Sequence, residues 1–198
     1  MSFRKEKKYR LSISDLLIIK KKLKSEGMKK LYVPRRIQSC YFDNHNLTLF
    51  SNSEEGVLPR KKIRLRWYND DNNFTKETKI SSIEGRYKYS EKFQELKKIS
   101  DINSIRFYDN LYGLIFPVIL VGYIREYYLF HDFRVTFDTN IEYQSFNNKQ
   151  MKFRDNECVM EVKAPIFCGD DFIEKYICYA NSRFSKYSRG IIHTNQSL

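Results

Sequence analysis

The chain has 198 residues and a formal net charge of +12, with 41% hydrophobic and 16% aromatic residues. This hydrophobic content excludes a disordered chain, and the length allows one domain with a sizeable core or a single closed barrel. The basic excess favours a polyanionic partner such as nucleic acid, phosphates or an anionic membrane, although a generally basic surface would give the same charge.

Strand and helix patterns alternate with turn signals along the chain. Ser12 or Ser14 can cap a helix that runs to about Glu26, and Gly27 ends it. The polar runs 69–73 and 81–85 separate three strands and predict an antiparallel meander. The predicted strands are residues 3–11, 36–42, 61–68, 74–80, 86–91, 118–130, 133–138 and 157–164. The other predicted segments are a partly helical stretch at 93–114 with Leu96, Ile99, Ile102, Ile105 and Leu111 facing inward, a polar loop at 147–156, a helix at 170–179 and a closing segment at 184–191.

Several of these strands carry charged residues at every second position, so that the charges share one face. The charged segments are Arg4-x-Glu6-x-Lys8, Arg64-x-Arg66, Glu77-x-Lys79, Arg86-x-Lys88 and Glu161-x-Lys163. The opposite face of two of them is apolar, with Ile63, Leu65, Trp67, Met160 and Val162. Since unpaired charges in a dry core cost too much free energy, the charged faces are expected to line a wet channel that binds an anion.

The predicted fold is therefore α+β, a closed antiparallel β-barrel of about eight strands with peripheral helices, formed by one domain over residues 1–198. No hydrophobic run reaches the roughly 20 residues of a membrane helix, and the N-terminus has no apolar signal region, so a cytoplasmic protein is expected. The four cysteines form no CxxC motif and the three histidines are scattered, which argues against a zinc site.

An ordered set of short motifs resembles a known family over nearly the whole chain. The motifs run from 4 to 9, 41 to 44, 63 to 68, 77 to 79, 123 to 127, 134 to 139, 160 to 163 and 185 to 187. They resemble the VTC (vacuolar transporter chaperone) domain of polyphosphate polymerases, in the CYTH-like triphosphate tunnel metalloenzyme superfamily. The resemblance implies a tunnel of about eight strands that binds ATP, triphosphate and polyphosphate, and transfer of the γ-phosphate of ATP to a growing polyphosphate chain.

The resemblance also implies roles for individual residues. Catalytic roles fall to Lys8, Arg64, Arg66, Glu161 and Lys186. Phosphate binding is assigned to Lys8, Arg64, Arg66, Lys79, Lys88, Arg125, Arg134, Lys163, Ser185 and Lys186, with Arg86 as the alternative to Lys88. Glu161 and Glu6 would bind Mn²⁺ or Mg²⁺. The residue types suit this chemistry, because arginine forks and lysines neutralise phosphate oxygens and a hard divalent metal prefers carboxylate oxygens.

Two departures from the superfamily's hydrolases favour phosphoryl transfer over hydrolysis. Arg4 stands where hydrolases typically have a first glutamate, and Glu161-Val-Lys163 stands where they often have paired carboxylates. Fewer carboxylates weaken a second metal site, which commonly positions the attacking water. The alternatives are a metal-dependent triphosphatase and a non-catalytic polyphosphate-binding module.

Other functional expectations concern partners and the remaining side chains. No nucleic acid is expected, since most aromatic residues alternate away from the charged face. The chain shows neither the SPX domain nor the membrane segment of the eukaryotic polymerases, so coupling to transport is not expected, while a membrane partner and the oligomeric state stay open. Asp138 suits a metal contact and a turn equally. Four tyrosines are expected to pack in the wall of the barrel: Tyr9, Tyr68, Tyr127 and Tyr187. Four arginines are expected to face one common lumen: Arg64, Arg66, Arg125 and Arg134.

Overall fold

The computed structural model describes residues 4–69, 71–146 and 151–195. Its strands are β1 (Arg4–Leu11), β2 (Lys29–Asp43), β3 (Arg60–Tyr68), β4 (Phe74–Ser81), β5 (Arg86–Phe93), β6 (Phe107–Asp109), β7 (Gly113–Phe130), β8 (Phe133–Ser145), β9 (Lys152–Arg154) and β10 (Cys158–Pro165). Its helices are α1 (Ile13–Ser25), α2 (Thr48–Glu55), α3 (Asp170–Tyr176) and α4 (Lys186–Asn195), with a 3-10 helix at Ile99–Ser104. None of the helices among the described residues is long and apolar enough to cross a membrane.

The strands form one mostly antiparallel sheet in the order β1-β10-β8-β7-β2-β3-β4-β5, with β6 paired to β7 and β9 to β8. The predicted closed barrel is wrong, because this order is an open path that ends at β1 and β5. A loop segment instead makes backbone contacts along the outer edge of β1, where the Ser182 amide donates to the Lys8 carbonyl at 2.8 Å. The Lys8 amide donates to Asn181 Oδ1 at 3.1 Å. At the other end, the exposed, lysine-bearing β5 is typical of an unpaired edge.

Most predicted elements are confirmed, and the differences have local causes. Ser12 caps α1, because its Oγ accepts from the Asp15 amide at 3.0 Å. The helix α2 was not predicted, and the segment 93–114 contains a 3-10 helix and a short strand rather than an α-helix. Leu111 does not face inward but is 57% exposed. The closing segment forms helix α4, and the predicted loop 147–156 includes β9 and, at 147–150, lies outside the described residues.

The chain divides into two compact units by its contacts. The first unit comprises residues 4–36, Tyr123–Ile141 and Arg154–Phe184. Its core lies on one face of β1, β10 and the parts of β7 and β8 that belong to this unit, under helices α1 and α3. The core residues include Tyr9, Leu16, Ile19, Leu23, Tyr128, Phe130, Val135, Phe137, Met160, Val162 and Ile173. Because side chains alternate along a strand, the residues between these lie on the opposite face of the same strands.

The second unit comprises residues 37–69, 71–122, 142–146, 151–153 and 185–195. Its main core lies on one face of β2, β3 and β4, with α2 and the 3-10 helix against it. The core residues include Cys40, Phe42, Leu49, Ile63, Leu65, Trp67, Phe74, Leu96, Ile102 and Ile115. The alternation therefore places the charged residues of β3 on the face opposite this core, as the sequence predicts.

Candidate functional site

In the second unit, one face of β3, β4 and β5 is strongly cationic. The strand register places Arg64 opposite Glu77, Lys62 opposite Lys79, and Lys79 opposite Lys88. Residues that lie opposite each other in antiparallel strands share a face. The basic residues of these three strands on this face are Arg60, Lys62, Arg64, Arg66, Lys79, Arg86, Lys88 and Lys92. Glu77 is the single acidic residue on the same face of these strands.

Three cations contact the Glu77 carboxylate. Arg64 donates from Nε at 2.7 Å, Lys88 from Nζ at 2.6 Å, and a nitrogen of Arg66 lies 3.7 Å away. Arg64, Arg66 and Glu77 are buried, whereas Lys88 is exposed. Burial would raise the pKa of Glu77, but Arg64 and Arg66 outweigh it and lower that pKa to about 2. Glu77 thus stays ionised and fixes the two arginines in place.

A chain of hydrogen bonds and one ring-stacking contact connects Arg64 to a buried carboxylate in the same unit. Arg64 donates to the Tyr41 hydroxyl at 2.8 Å, and the Tyr41 ring stacks on Tyr187 with a centroid distance of 5.0 Å. The Tyr187 hydroxyl donates to Asp43, which also accepts from the amides of Leu49 and Phe50 at the start of α2. Burial would raise the pKa of Tyr41, but Arg64 and Arg66 lower it overall. These side chains hold Arg64 from the side away from Glu77.

The loop before α4 also reaches this cationic face. Lys62 Nζ donates to Ser185 Oγ at 2.8 Å, and Ser185 Oγ accepts from the Ser188 amide at 3.3 Å, the geometry of a helix N-cap. Ser185 therefore lies beside Lys62, and its predicted role in phosphate binding stays a prediction. Lys186 is the half-buried first residue of α4, and Lys79 is exposed.

In the first unit, the face opposite the core is also charged, but it carries both signs. The register places Lys8 opposite Glu161 and Glu6 opposite Lys163 on β1 and β10. On β10 and β8, Glu161 lies opposite Thr136, and Lys163 lies opposite the exposed Arg134. Arg125, Arg134 and Asp138 alternate with the core residues of β7 and β8 and so share this face.

Glu161 is buried and surrounded by cations. Lys163 Nζ lies 2.8 Å from Glu161 Oε1, and Arg125 lies 3.9 Å from its other oxygen. Burial would raise the pKa of Glu161, but Arg125, Lys163 and Lys8 together lower it well below its usual range. Lys163 also lies 3.9 Å from Glu6, which pairs with Lys8 at 3.2 Å. Glu6 and Glu161 therefore share one ammonium group between them.

Arg125 and Asp138 form a two-point ion pair beside this group. Arg125 Nε and Nη2 donate to the two Asp138 oxygens at 2.5 and 2.6 Å. Asp138 is fully buried. Burial would lower the pKa of Arg125, but Asp138 above all raises it well above its usual value. Asp138 lies within β8 rather than in a turn, and its carboxylate fixes Arg125, while a metal contact stays a prediction.

The carboxylates of Glu6 and Glu161 are oxygen ligands of the kind that a divalent cation prefers. Lys163 occupies the position between Glu6 and Glu161, so a cation is already stabilised there. The Thr136 hydroxyl, opposite Glu161, is buried and has no hydrogen-bond partner among the described residues. Mg²⁺ is commonly held by one or two carboxylates together with phosphate oxygens and water. The described residues contain no cluster of three or more histidine, cysteine or acidic side chains that could hold a metal by themselves.

The structure groups the predicted site residues into two sets. Glu6, Lys8, Arg125, Arg134, Glu161 and Lys163 share the charged face of the first unit. In the second unit, Arg64, Arg66, Lys79 and Lys88 share the charged face, with Ser185 beside it. Arg86 lies on that face too, but it is Lys88 that contacts Glu77. A common lumen for the four arginines stays a prediction.

Two residues of these groups, Lys62 and Tyr41, had no role in the predicted site. The alternation already placed Glu77 on the charged face, and Lys62 has the same strand parity as Arg64, so the alternation could have included it too. Tyr41 was harder to find, since its partner Arg64 lies on the neighbouring strand. The contact of Asp138 with Arg125 was not foreseen either, because a metal contact and a turn suited Asp138 equally. Tyr187 was assigned to wall packing, yet its hydroxyl also donates to Asp43.

Comparisons with known proteins place the chain in a family. The VTC domain family model matches residues 3–195. A comparison with curated protein sequences finds no significant match.

Solved structures show the same fold. A putative adenylate cyclase from Vibrio parahaemolyticus has a TM-score of 0.55 and 14% identity, covering 96% of this chain and 98% of its own. A putative adenylyl cyclase from Hippeastrum with a dominant triphosphatase activity has a TM-score of 0.59 and 13% identity, covering 95% of each chain. A putative adenylate cyclase from Bacillus halodurans has a TM-score of 0.58 and 9% identity, covering 93% and 94%. At these identities the likeness establishes the fold alone.

Proposed function

The chain belongs to the VTC domain family, and from this premise we propose that it is a polyphosphate polymerase that transfers the γ-phosphate of ATP to a growing polyphosphate chain. The observation that carries the proposal is the cationic face of the second unit, where eight basic residues of β3, β4 and β5 share one acid. Two of these, Arg64 and Arg66, are buried, and buried positive charge in excess needs an anionic ligand. A chain of phosphates is such a ligand.

The residues of the second unit suit phosphate binding more than chemistry. Arg64 and Arg66 present planar forks that hold phosphate oxygens at two points, and Glu77 and Tyr41 restrict their rotation. Pre-oriented donors stabilise developing charge without the cost of reorganisation. Lys62, Lys79 and Lys88 add point charges along the same face.

The residues of the first unit suit the transfer step. Phosphoryl transfer requires alignment of the reacting oxygens and neutralisation of the charge on the transferring group. Lys8, Lys163 and Arg125 supply positive charge, and the low pKa of Glu161 keeps its carboxylate ionised at neutral pH. Enzymes of the tunnel superfamily use divalent metals, and Glu161 with Glu6 would hold Mn²⁺ or Mg²⁺ here. When bound, the metal would neutralise charge on the phosphate oxygens.

A second candidate function is hydrolysis of triphosphate. The triphosphatase activity of the Hippeastrum protein favours it, since that protein has the same fold. Polymerisation is preferred because Lys163 occupies the position between Glu6 and Glu161, where a further carboxylate would be needed for a second metal.

Incubation of the pure protein with ATP and Mn²⁺, followed by separation of the phosphates on a gel, tests the proposal. A ladder of polyphosphate is the expected result. Release of orthophosphate without a ladder would establish the triphosphatase instead. Unchanged ATP together with tight polyphosphate binding would indicate the non-catalytic binding module.

A further inference from the structure

Two tyrosines and an arginine of the first unit form an aromatic group on the protein surface. The rings of Tyr32 on β2 and Tyr127 on β7 meet edge to face at 5.8 Å. The guanidinium carbon of Arg35 lies 5.8 Å from the Tyr32 ring centre and 5.9 Å from that of Tyr127. Tyr32 is 54% exposed although it is a large aromatic side chain.

Burial does not explain why these side chains come together. All residues from Lys29 to Arg36 are exposed, so this half of β2 contributes nothing to the core. A tyrosine that packs for stability normally hides most of its ring. Here the arginine lies over both rings, and the solvent-facing part of Tyr32 remains available for another flat group.

The aromatic group lies next to phosphate-binding candidates on the same strand. Tyr127 follows Arg125 by two residues, so both side chains share the charged face of β7. Arg125 itself lies over the ring of Tyr123 at 5.3 Å. The charged face of β7 thus alternates tyrosine, arginine and tyrosine, with a spacing of about 7 Å between alternate residues.

A flat aromatic group joined to a chain of phosphates fits this arrangement. Bases stack on tyrosine rings and on guanidinium planes regardless of their sequence identity, because every base has a π-face. We propose that Tyr32, Arg35 and Tyr127 stack on the base of a nucleoside triphosphate whose phosphates contact the charged face of the first unit. The inference rests on the proposed function and adds to it the means of selecting a nucleotide over inorganic triphosphate.

If the proposal holds, the contribution of the base to affinity can be measured by comparing ATP with inorganic triphosphate. Inorganic triphosphate offers phosphates without a base, so its affinity depends on the cations alone. ATP gains the additional stacking contact. Removal of one ring should therefore weaken ATP binding and leave triphosphate binding unchanged.

Calorimetry with Tyr32→Ala tests this, with ATP and inorganic triphosphate titrated separately in metal-free buffer so that neither is turned over. Tyr32 is suitable because its exposure makes misfolding of the variant a small concern. The expected result is a loss of ATP affinity of about one to two orders of magnitude with no change for triphosphate. Tyr32→Phe keeps the ring and should restore ATP affinity.

Tyr108→Ala serves as the matched control, since Tyr108 is 76% exposed and belongs to β6 in the second unit. It should change neither affinity. An unchanged ATP affinity in Tyr32→Ala, or an equal loss for both ligands, overturns the stacking site while the proposed function stands. Failure of the wild-type protein to bind either ligand overturns both.

Discussion

The two charged faces differ in how their charges are matched. In the second unit, Arg64, Arg66 and Lys88 all contact the single carboxylate of Glu77. In the first unit each carboxylate of the face has its own cationic contact: Glu6 with Lys8, Glu161 with Lys163, and Asp138 with Arg125. One face therefore has positive charge in excess, and the other has its charges largely paired.

This difference is the basis for our proposal that one face binds phosphate and the other carries out the transfer. On the second unit's face several cations surround one carboxylate, so the face keeps a net positive charge that attracts phosphate. A paired face binds phosphate only when its ion pairs open, as when Lys163 leaves the position between Glu6 and Glu161. Such a face can exchange an internal cation for a metal and an internal carboxylate for a phosphate, which is the basis for proposing it as the site of transfer.

The largest expected effect comes from Glu161→Gln. The variant keeps the size of the side chain but removes the anion, so turnover of ATP at saturating Mn²⁺ should fall by about two to three orders of magnitude. Triphosphate affinity should be retained or rise slightly, since Lys163 and Arg125 lose a partner that competes with phosphate. Turnover assays, calorimetry with triphosphate and Mn²⁺ binding measured by electron paramagnetic resonance provide the readouts.

Glu174→Gln is the matched control for this variant. Glu174 is a salt-bridged acid of α3 in the same unit, paired with Lys7 away from the charged face. Its replacement should leave turnover unchanged. Near-normal turnover in Glu161→Gln would show that Glu161 serves only as an ion-pair partner.

The second effect is a pH dependence of stability from Glu77. Its pKa is lowered from 4.5 to about 2 in the folded protein, so the unfolded chain binds more protons between these values. The stabilisation is fully present above about pH 4.5 and is lost as the pH falls towards 2. The shift corresponds to roughly 3 kcal/mol of unfolding free energy.

Urea unfolding of the wild type and Glu77→Gln at several pH values between 6 and 2.5 measures this contribution. The difference in unfolding free energy between the two proteins should shrink as the pH falls. A constant difference across this range would mean that Glu77 does not titrate as its contacts imply. At neutral pH, added triphosphate should partly restore the variant's stability, because it replaces the missing negative charge.

The third effect concerns affinity and compares the two faces directly. Arg64→Ala should weaken triphosphate binding by about 10- to 100-fold, since a two-point charged contact is lost. Lys163→Ala should cost less, because Lys163 is largely neutralised by Glu161 and Glu6. Lys61→Ala, in the same strand as Arg64 but on the opposite face and paired with Asp109 at 2.8 Å, should have no effect. An equal loss for Arg64→Ala and Lys163→Ala would refute the distinction between the faces.

The sequence predicts the faces better than it predicts the partners. Alternation alone is enough to place Arg64 with Arg66 and Glu161 with Lys163, because the period of a strand is two. It does not show that β2 lies beside β3, and this is why the contact of Tyr41 with Arg64 was not foreseen. The turn at residues 131–132 predicts that 133–138 pairs with 118–130, but it does not show that Asp138 contacts Arg125. Those contacts depend on the order β2-β3 and β7-β8 in the sheet.

The fold was predicted correctly as a mostly antiparallel sheet with a few helices, and its closure was not. A closed barrel requires β1 and β5 to pair with each other, and no local sequence pattern shows whether two distant edge strands pair. At the edge of β1, the Ser182 amide donates to the Lys8 carbonyl, and these two residues are 174 positions apart in the sequence. Helix α4 was not predicted as a helix, although Ser185 before it is a residue type that commonly caps helices.

The smallest expected effect comes from substitutions of Ser185, which distinguish its contact with the helix α4 from its contact with Lys62. Its Oγ caps α4 and accepts from Lys62, so Ser185→Ala should lower the unfolding free energy by about 1 kcal/mol and weaken triphosphate binding a few-fold. Ser185→Asp keeps a good cap at the helix N-terminus but places a negative charge beside Lys62. It should restore stability and weaken binding further. Ser12→Ala removes the cap of α1 instead, and should cost similar stability without changing affinity. Unfolding curves and calorimetry with triphosphate on all three variants measure these effects. If Ser185 only caps the helix, Ser185→Asp will bind triphosphate as the wild type does.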